Sequence, residues 1–274
     1  MTESPTASYQ TLRSALAEEG TVLEIVLDRP KGNVLTTEMM GELEQAFDEH
    51  RERRELRLVV LRGAGGQFSY GASIEEHRRE LAPRLLAAFH RLIRSLAGYP
   101  VPVAALIEGQ CLGGGFELVL ACHFLFATPG ARFGCPEIKL GVFPPVLAAL
   151  GERRLGGFAA ERMLLTGGSI DASEAWRLGF LTRVIDDGAE STEPREALLA
   201  WYRETLRPLS AFALRQGTKA LRQATGFVAE LDRALRATEE QYVREVLESR
   251  DGNEGIEAFL ERREPRWEDD RREE

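Results

Sequence analysis

The stretch Leu112-Gly113-Gly114-Gly115-Phe116-Glu117, answered 20 residues after Glu117 by Pro136-Glu137, decides how this chain is read. Three consecutive glycines stand between an apolar run over 101–107 and a helix-like apolar run over 116–126. Without Cβ atoms the main chain can approach a ligand closely there, with a backbone N–H aimed at an oxygen. A helix opening at about Gly115 adds unpaired amides and the positive end of its dipole, and Glu117 stands in that first turn. Glu117 and Glu137 thus read as two carboxylates beside an anion-stabilising amide. Taken singly, these features stay open to other uses. Three glycines also serve a tight turn or close helix–strand packing, and acidic residues commonly occupy first turns.

At 274 residues and 43% hydrophobic, the chain can bury a sizeable core, as one large domain or one domain with a smaller appendage. No window approaches the roughly 18 uninterrupted apolar residues of a membrane span. The start Met1-Thr2-Glu3-Ser4-Pro5 has neither the basic nor the apolar region of a signal peptide, so a cytoplasmic protein with no membrane partner is expected. A net charge of −9 argues against a nucleic-acid surface. The arginines of Arg51-Glu52-Arg53-Arg54 and Arg262-Arg263 are interleaved with acids and read as solvated faces, with local phosphate contacts left open. Cys111, Cys122 and Cys135 are odd in number and lack metal-ligand spacing, so they read as small reduced filler. The four histidines form no i, i+4 pair and accompany no nucleophile motif; they are assigned no chemistry, and no metal is expected.

Along the chain, Val22–Leu27 reads as a strand ended by Asp28-Arg29-Pro30, with Lys31-Gly32-Asn33 as a turn. Thr36 or Thr37 can cap a helix whose apolar face is Met39, Met40, Leu43, Ala46 and Phe47. A buried strand over 56–61 follows, then a small-residue turn with accessible amides at 71–73. Leu85, Leu86, Phe89, Leu92, Ile93 and Leu96 mark a helix that Pro100 stops before a strand over 103–107. A strand over 124–127 and the run Arg132-Phe133-Gly134 lead to Glu137. Asp171 can cap a helix over 172–178, Gly179 can end it, and 181–185 suggests a strand. From about Glu196 the pattern is helical, with Leu231, Ala234, Leu235, Tyr242 and Val246 on one apolar face. The chain therefore divides into an α/β part over 1–207, carrying the active site, and a helical part over 208–274. The helices need a subunit or the chain's own core to cover them. Residues 1–10 and the charged tail over 268–274 read as loose.

Arg29-Pro30 with Asn33, Phe68 with Gly71-Ala72, Gly109 with Leu112-Gly113-Gly114-Gly115 and Glu117, Phe133-Gly134 with Pro136-Glu137, Leu140-Gly141, and Glu254-Gly255 with Ala258-Phe259 all fall in one order. In these motifs the chain resembles the crotonase, or enoyl-CoA hydratase/isomerase, superfamily over 22–267. The resemblance implies an α/β spiral of ββα units whose C-terminal helices build homotrimers, often stacked into hexamers. It implies acyl-CoA substrates, with CoA part of the substrate and no separate cofactor. By the same resemblance the amides of Ala72 and Gly114 hold the thioester oxygen, and Glu117 and Glu137 act around one water. CoA contacts carry over to Lys31, Phe259, Arg262 and Arg263.

Elementary chemistry agrees with that implication. Adding water across a double bond conjugated to a thioester puts negative charge on the carbonyl oxygen, where a preorganised amide is typically worth about 2.7–4 kcal/mol. One ionised carboxylate can take a proton from water while the other, kept protonated by burial or by its neighbour's charge, donates to carbon. Which glutamate does which is not readable from the residues.

Two departures from the family pattern stand out. Ser73 replaces a common Asp, and Gly141-Val142-Phe143-Pro144-Pro145-Val146-Leu147 replaces a glycine-rich turn after Leu-Gly. The second change stiffens the backbone and fills space with apolar groups. With Tyr70 as an added aromatic wall, Tyr70, Phe143 and Pro144 are expected to line a pocket that prefers a compact, flat ring. The segments around 68–77, 109–112 and 141–143 and the ending with Trp267 are most similar to the branch of cyclohexa-1,5-dienecarbonyl-CoA hydratases. That branch implies hydration of cyclohexa-1,5-diene-1-carbonyl-CoA to a hydroxycyclohexene-carbonyl-CoA by addition at the distal end of the diene. Two other readings are weighed against it: a hydratase, dehydratase or isomerase for another enoyl-CoA, and a non-catalytic crotonase-like binding protein. The retained glutamate pair separates an enzyme from the latter, and favours hydration because an isomerase commonly manages with one carboxylate.

Overall fold

A computed structural model describes residues 9–185 and 193–268. Short buried apolar runs form its larger sheet: β1 (Leu12–Ala17), β2 (Val22–Leu27), β3 (Leu58–Gly63) and β4 (Val103–Ile107) lie side by side. The next strand in the chain, β5 (Gln110–Leu112), leaves this sheet, and β6 (Phe124–Ala127) returns to it beside β4. β1 is antiparallel to β2, and the neighbours from β2 onward are parallel. All six residues of β2 are buried, as a sheet covered on both faces requires. A second, three-stranded sheet joins β5 to β7 (Arg132–Gly134) and β7 to β8 (Ser169–Asp171), and β9 (Arg183–Val184) closes the larger sheet beside β6.

Isolated parallel bridges, Leu35 to Ala72 and Ser69 to Cys111, continue the second layer toward the N-terminus. Each turn of the chain thus repeats one plan: a strand in the large sheet, a short segment in the second layer, then a helix. Helix α1 (Thr37–His50) ends the first turn, α2 (Ala82–Ala97) the second and α3 (Gly114–Leu120) the third. This is the ββα spiral. Helix α1 starts where the Thr36 hydroxyl accepts the Met39 N–H, and it buries Met39, Met40, Leu43, Ala46 and Phe47.

Three features differ from the sequence pattern. Strand β1 carries no clear signal, because its alternation is weak and only Leu12 is buried in it. The helix-like run over 116–126 is shortened: α3 stops at Leu120, and the chain re-enters the sheet at Phe124, in the strand expected over 124–127. Helices α4 (Pro145–Leu155) and α5 (Gly157–Thr166) stand where Pro144-Pro145 suggests only loop stiffening. Pro145 instead occupies the first turn of α4, where its missing N–H is no loss and its fixed φ suits a helix. Asp171 caps α6 (Ala172–Arg177) by accepting the Glu174 N–H, as expected.

The C-terminal helices are α7 (Pro194–Thr205), α8 (Ala211–Ala224), α9 (Phe227–Gln241) and α10 (Arg250–Glu261). Phe227, Leu231 and Leu235 of α9 join the main core, so this helix is covered by its own chain. In α8, Phe212 and Leu221 stay 71% and 56% exposed. The segments expected to be loose fall, apart from residues 9, 10 and 268, outside the described residues. Among the described residues no helix is long and apolar enough to cross a membrane.

Candidate active site

Gly113 has φ +48°, and a Cβ there would stand 2.6 Å from Oε1 of Glu137. Glycine is what lets the two motifs meet. A Cβ on Gly114, the first residue of α3, would lie 3.3 Å from the Ala72 amide nitrogen, so the turn after β3 runs against the start of α3. Neighbouring backbone groups are engaged: Leu35 N–H donates to Gly71 O, Ser73 N–H to Leu35 O, and Gly113 N–H to Gly134 O. Among the described residues the N–H groups of Ala72 and Gly114 have no acceptor.

Glu117 is buried in α3, and its Oε1 accepts the N–H of Val146 at 2.7 Å and of Leu147 at 2.9 Å. Those amides belong to the first turn of α4, whose opening N–H groups have no partner within the helix. The glutamate of one helix thus caps the next, and the Phe143-Pro144-Pro145 segment is what places those donors. Burial pushes the Glu117 carboxyl above the usual carboxylate range, while the two amides pull it back.

Glu137 lies in a 3-10 turn over Pro136–Leu140, ended by Gly141 in the left-handed region. Its Oε2 is sealed from solvent and has no hydrogen-bond partner among the described residues. Burial and the neighbouring charge of Glu117 both push its carboxyl up, and little opposes them. The shared site therefore favours one proton, on Glu137.

Both carboxyls face one narrow cavity of about 20 Å³, walled by Ala72, Gly114, Phe143 and Pro144, and by Leu85, Leu86 and Phe89 of α2. Ala72, Gly114, Glu117, Glu137, Phe143 and Pro144, all expected at the site from sequence, are thus brought together. Tyr70 is not among the walls: it packs over Gly32 and is half exposed. Lys31 sits in the exposed turn before it. Phe259 is exposed on α10, Arg262 is that helix's left-handed C-cap, and Arg263 is ion-paired with Glu254 and Glu261. Lys31, Phe259, Arg262 and Arg263 do not line the cavity.

Two further cavity residues, His77 and Tyr242, are not singled out by the sequence. His77 places Nδ1 2.7 Å from Ser73 O, and burial pushes its pKa down; the neutral ring donates from Nδ1 and keeps Nε2 as an acceptor. Tyr242 is 1% exposed and comes from a π-helical turn over Tyr242–Val246 in the C-terminal region. The site is therefore not confined to residues 1–207. Tyr242 carries no distinguishing signal, because a helical apolar face looks the same whether it covers a core or a cavity. His77 does have one, its place at the end of the stretch that supplies Ala72. Among the described residues no group of three or more His, Cys, Asp or Glu side chains could hold a metal.

A family model, Enoyl-CoA hydratase/isomerase, matches residues 17–271. The chain belongs to that family and is an enzyme of its hydratase, or carbon–oxygen lyase, type. It is 38% identical to the cyclohexa-1,5-dienecarbonyl-CoA hydratase of Thauera aromatica over 94% of this chain and 96% of that one. It is 33% identical to a carnitinyl-CoA dehydratase of Citrobacter koseri over 90% and 95% of the respective chains. Among solved structures, an enoyl-CoA hydratase of Mycobacterium avium subsp. paratuberculosis superposes with a TM-score of 0.80 at 30% identity, covering 95% of this chain and 99% of the other.

Proposed function

We propose that this enzyme hydrates cyclohexa-1,5-diene-1-carbonyl-CoA. The observation that carries a hydration is the pair of buried carboxyls facing one cavity in unlike surroundings, beside two amides that lack acceptors. Ionised Glu117 takes a proton from water as the water oxygen bonds to the carbon β to the thioester. The π electrons move to the thioester oxygen, which accepts from the N–H groups of Ala72 and Gly114. Glu137 then gives its proton to carbon. With a conjugated diene the charge reaches the distal carbon, and protonation at that end leaves a hydroxycyclohexene-carbonyl-CoA.

The ring assignment draws support from the Thauera aromatica relative and from the stiff apolar wall of Phe143 and Pro144. A ring loses less conformational freedom on binding than a flexible chain, so such walls hold its reacting carbon closer to water. Lys31, Phe259, Arg262 and Arg263 are the groups we assign to CoA. The exposed apolar side chains of α8 support assembly as a trimer or hexamer, which sedimentation checks: a folded monomer at micromolar concentration contradicts it. The deciding measurement for substrate is kcat/KM for the cyclic diene divided by that for crotonyl-CoA and longer straight-chain enoyl-CoAs. A ratio well above one is expected. A ratio at or below one sinks the ring and leaves a general enoyl-CoA hydratase, the second reading.

A further inference from the structure

Tyr242 presents a buried hydroxyl that no group among the described residues satisfies. Its oxygen has no hydrogen-bond partner among the described residues, and its ring is held edge-to-face by Phe143 at 5.4 Å between centroids. Packing therefore fixes where the O–H sits, yet a phenylalanine would fill the same space without leaving a polar group unpaired. An unsatisfied buried hydroxyl destabilises a fold by about 1–3 kcal/mol, so its retention calls for a ligand. Glu137, whose Oε2 is likewise buried and unpaired among the described residues, lines the same cavity. The free volume of about 20 Å³ is room for one water, which needs a minimum of roughly 10–15 Å³ and two to four polar partners. Glu117, Glu137, Tyr242 and His77 are the polar side chains that line it. The π-helical turn widens the helix by one residue at the point where Tyr242 enters the cavity, a distortion that recurs at functional sites.

We propose that Tyr242 is a water-positioning residue: its O–H donates to the oxygen of the water that adds to the substrate, while Glu117 accepts that water's proton. This rests on the hydratase reading. The phenol keeps its proton throughout; the carbon–oxygen bond forms as the C=C π pair moves to the thioester oxygen, and the water O–H facing Glu117 breaks as its proton bonds to that carboxylate. Charge from the buried carboxylates, added to burial, holds the phenol firmly in its protonated, donating form. Proton transfer between Glu137 and carbon adds no water to the substrate and should not need Tyr242.

The test is Tyr242→Phe, which keeps the ring and its contact with Phe143. Hydration of an enoyl-CoA that the wild-type enzyme turns over should lose about 10–100-fold in kcat with KM within about twofold, as for loss of a group used mainly in the transition state. Uptake of deuterium from D2O at the α carbon of a saturated acyl-CoA, butyryl-CoA, should stay at the wild-type rate. The melting temperature should hold or rise. Wild-type kcat for hydration in the variant overturns the proposal, and so does an equal loss of hydration and exchange, which marks a packing role. If the wild-type enzyme exchanges protons but hydrates no enoyl-CoA, the hydratase reading itself fails and this inference with it.

Discussion

Glu117 and Glu137 are the same side chain in two surroundings. Glu117 is caught by two amides at the start of α4, whereas Glu137 leaves one oxygen unpaired in a short 3-10 turn. Burial raises both, and only Glu117 has strong donors working in the opposite sense. An unlike pair is what hydration asks for, since one group must accept a proton while the other gives one up. The difference originates in the prolines that start α4, well beyond Glu117 in sequence and one short turn after Glu137. A glycine-rich segment could also offer amides, but Pro145 fixes where these two begin.

The comparison is most severely tested by removing each carboxyl in turn. Glu117→Gln and Glu137→Gln should each lower kcat for hydration by roughly 10²–10⁴-fold with little change in CoA-ester affinity. The amide side chain introduced by Glu117→Gln keeps an acceptor oxygen for the α4 amides, so that loss reports proton chemistry. Wild-type turnover in either variant would remove that residue from the mechanism.

A second test uses pH. The rate profile should be bell-shaped, with both limbs above the ordinary carboxylate range and belonging to the pair, not to one residue. For stability, a folded-state pKa raised above the unfolded one means that the folded protein binds the proton more tightly. That stability is present below the ordinary carboxylate pKa and is lost as pH rises through the folded-state values. Glu137→Gln removes the loss, so its melting temperature should exceed wild type at pH 9 and approach it near pH 5, by about 2–4 °C per kcal/mol recovered. An equal offset at both pH values would show that Glu137 is not held protonated.

The smallest effect is expected away from the cavity. Arg263 is occupied by Glu254 and Glu261, and Arg262 has no ion-pair partner among the described residues. Changing both to Ala should raise KM for CoA esters by at most about fivefold at low salt, fading at high salt. No salt-dependent change would return them to a solvated surface.

What is legible in the sequence is whatever a motif carries locally. Gly113, Gly114, Glu117 and Glu137 stand out because closely spaced glycines and acids have few other joint uses. Ala72 comes with the turn after β3. The capping of α4 by Glu117 is not legible, since it joins residues about 30 apart through backbone amides that any residue type supplies. Tyr70 is near Ala72 in sequence, but its ring packs over Gly32 and it is not among the cavity walls, a placement that adjacency in sequence does not reveal. Tyr242 reads correctly as part of an apolar face, but sequence periodicity does not say what that face is buried against.

The central claim is that Glu137 serves carbon and Glu117 serves water. It is tested most directly by comparing two reactions of the two Gln variants in D2O: hydration of an enoyl-CoA, and deuterium uptake at the α carbon of butyryl-CoA, which needs no water addition. The account predicts that Glu137→Gln loses both reactions, while Glu117→Gln loses hydration and keeps the exchange. Exchange lost in Glu117→Gln and kept in Glu137→Gln would contradict it and reverse the two roles.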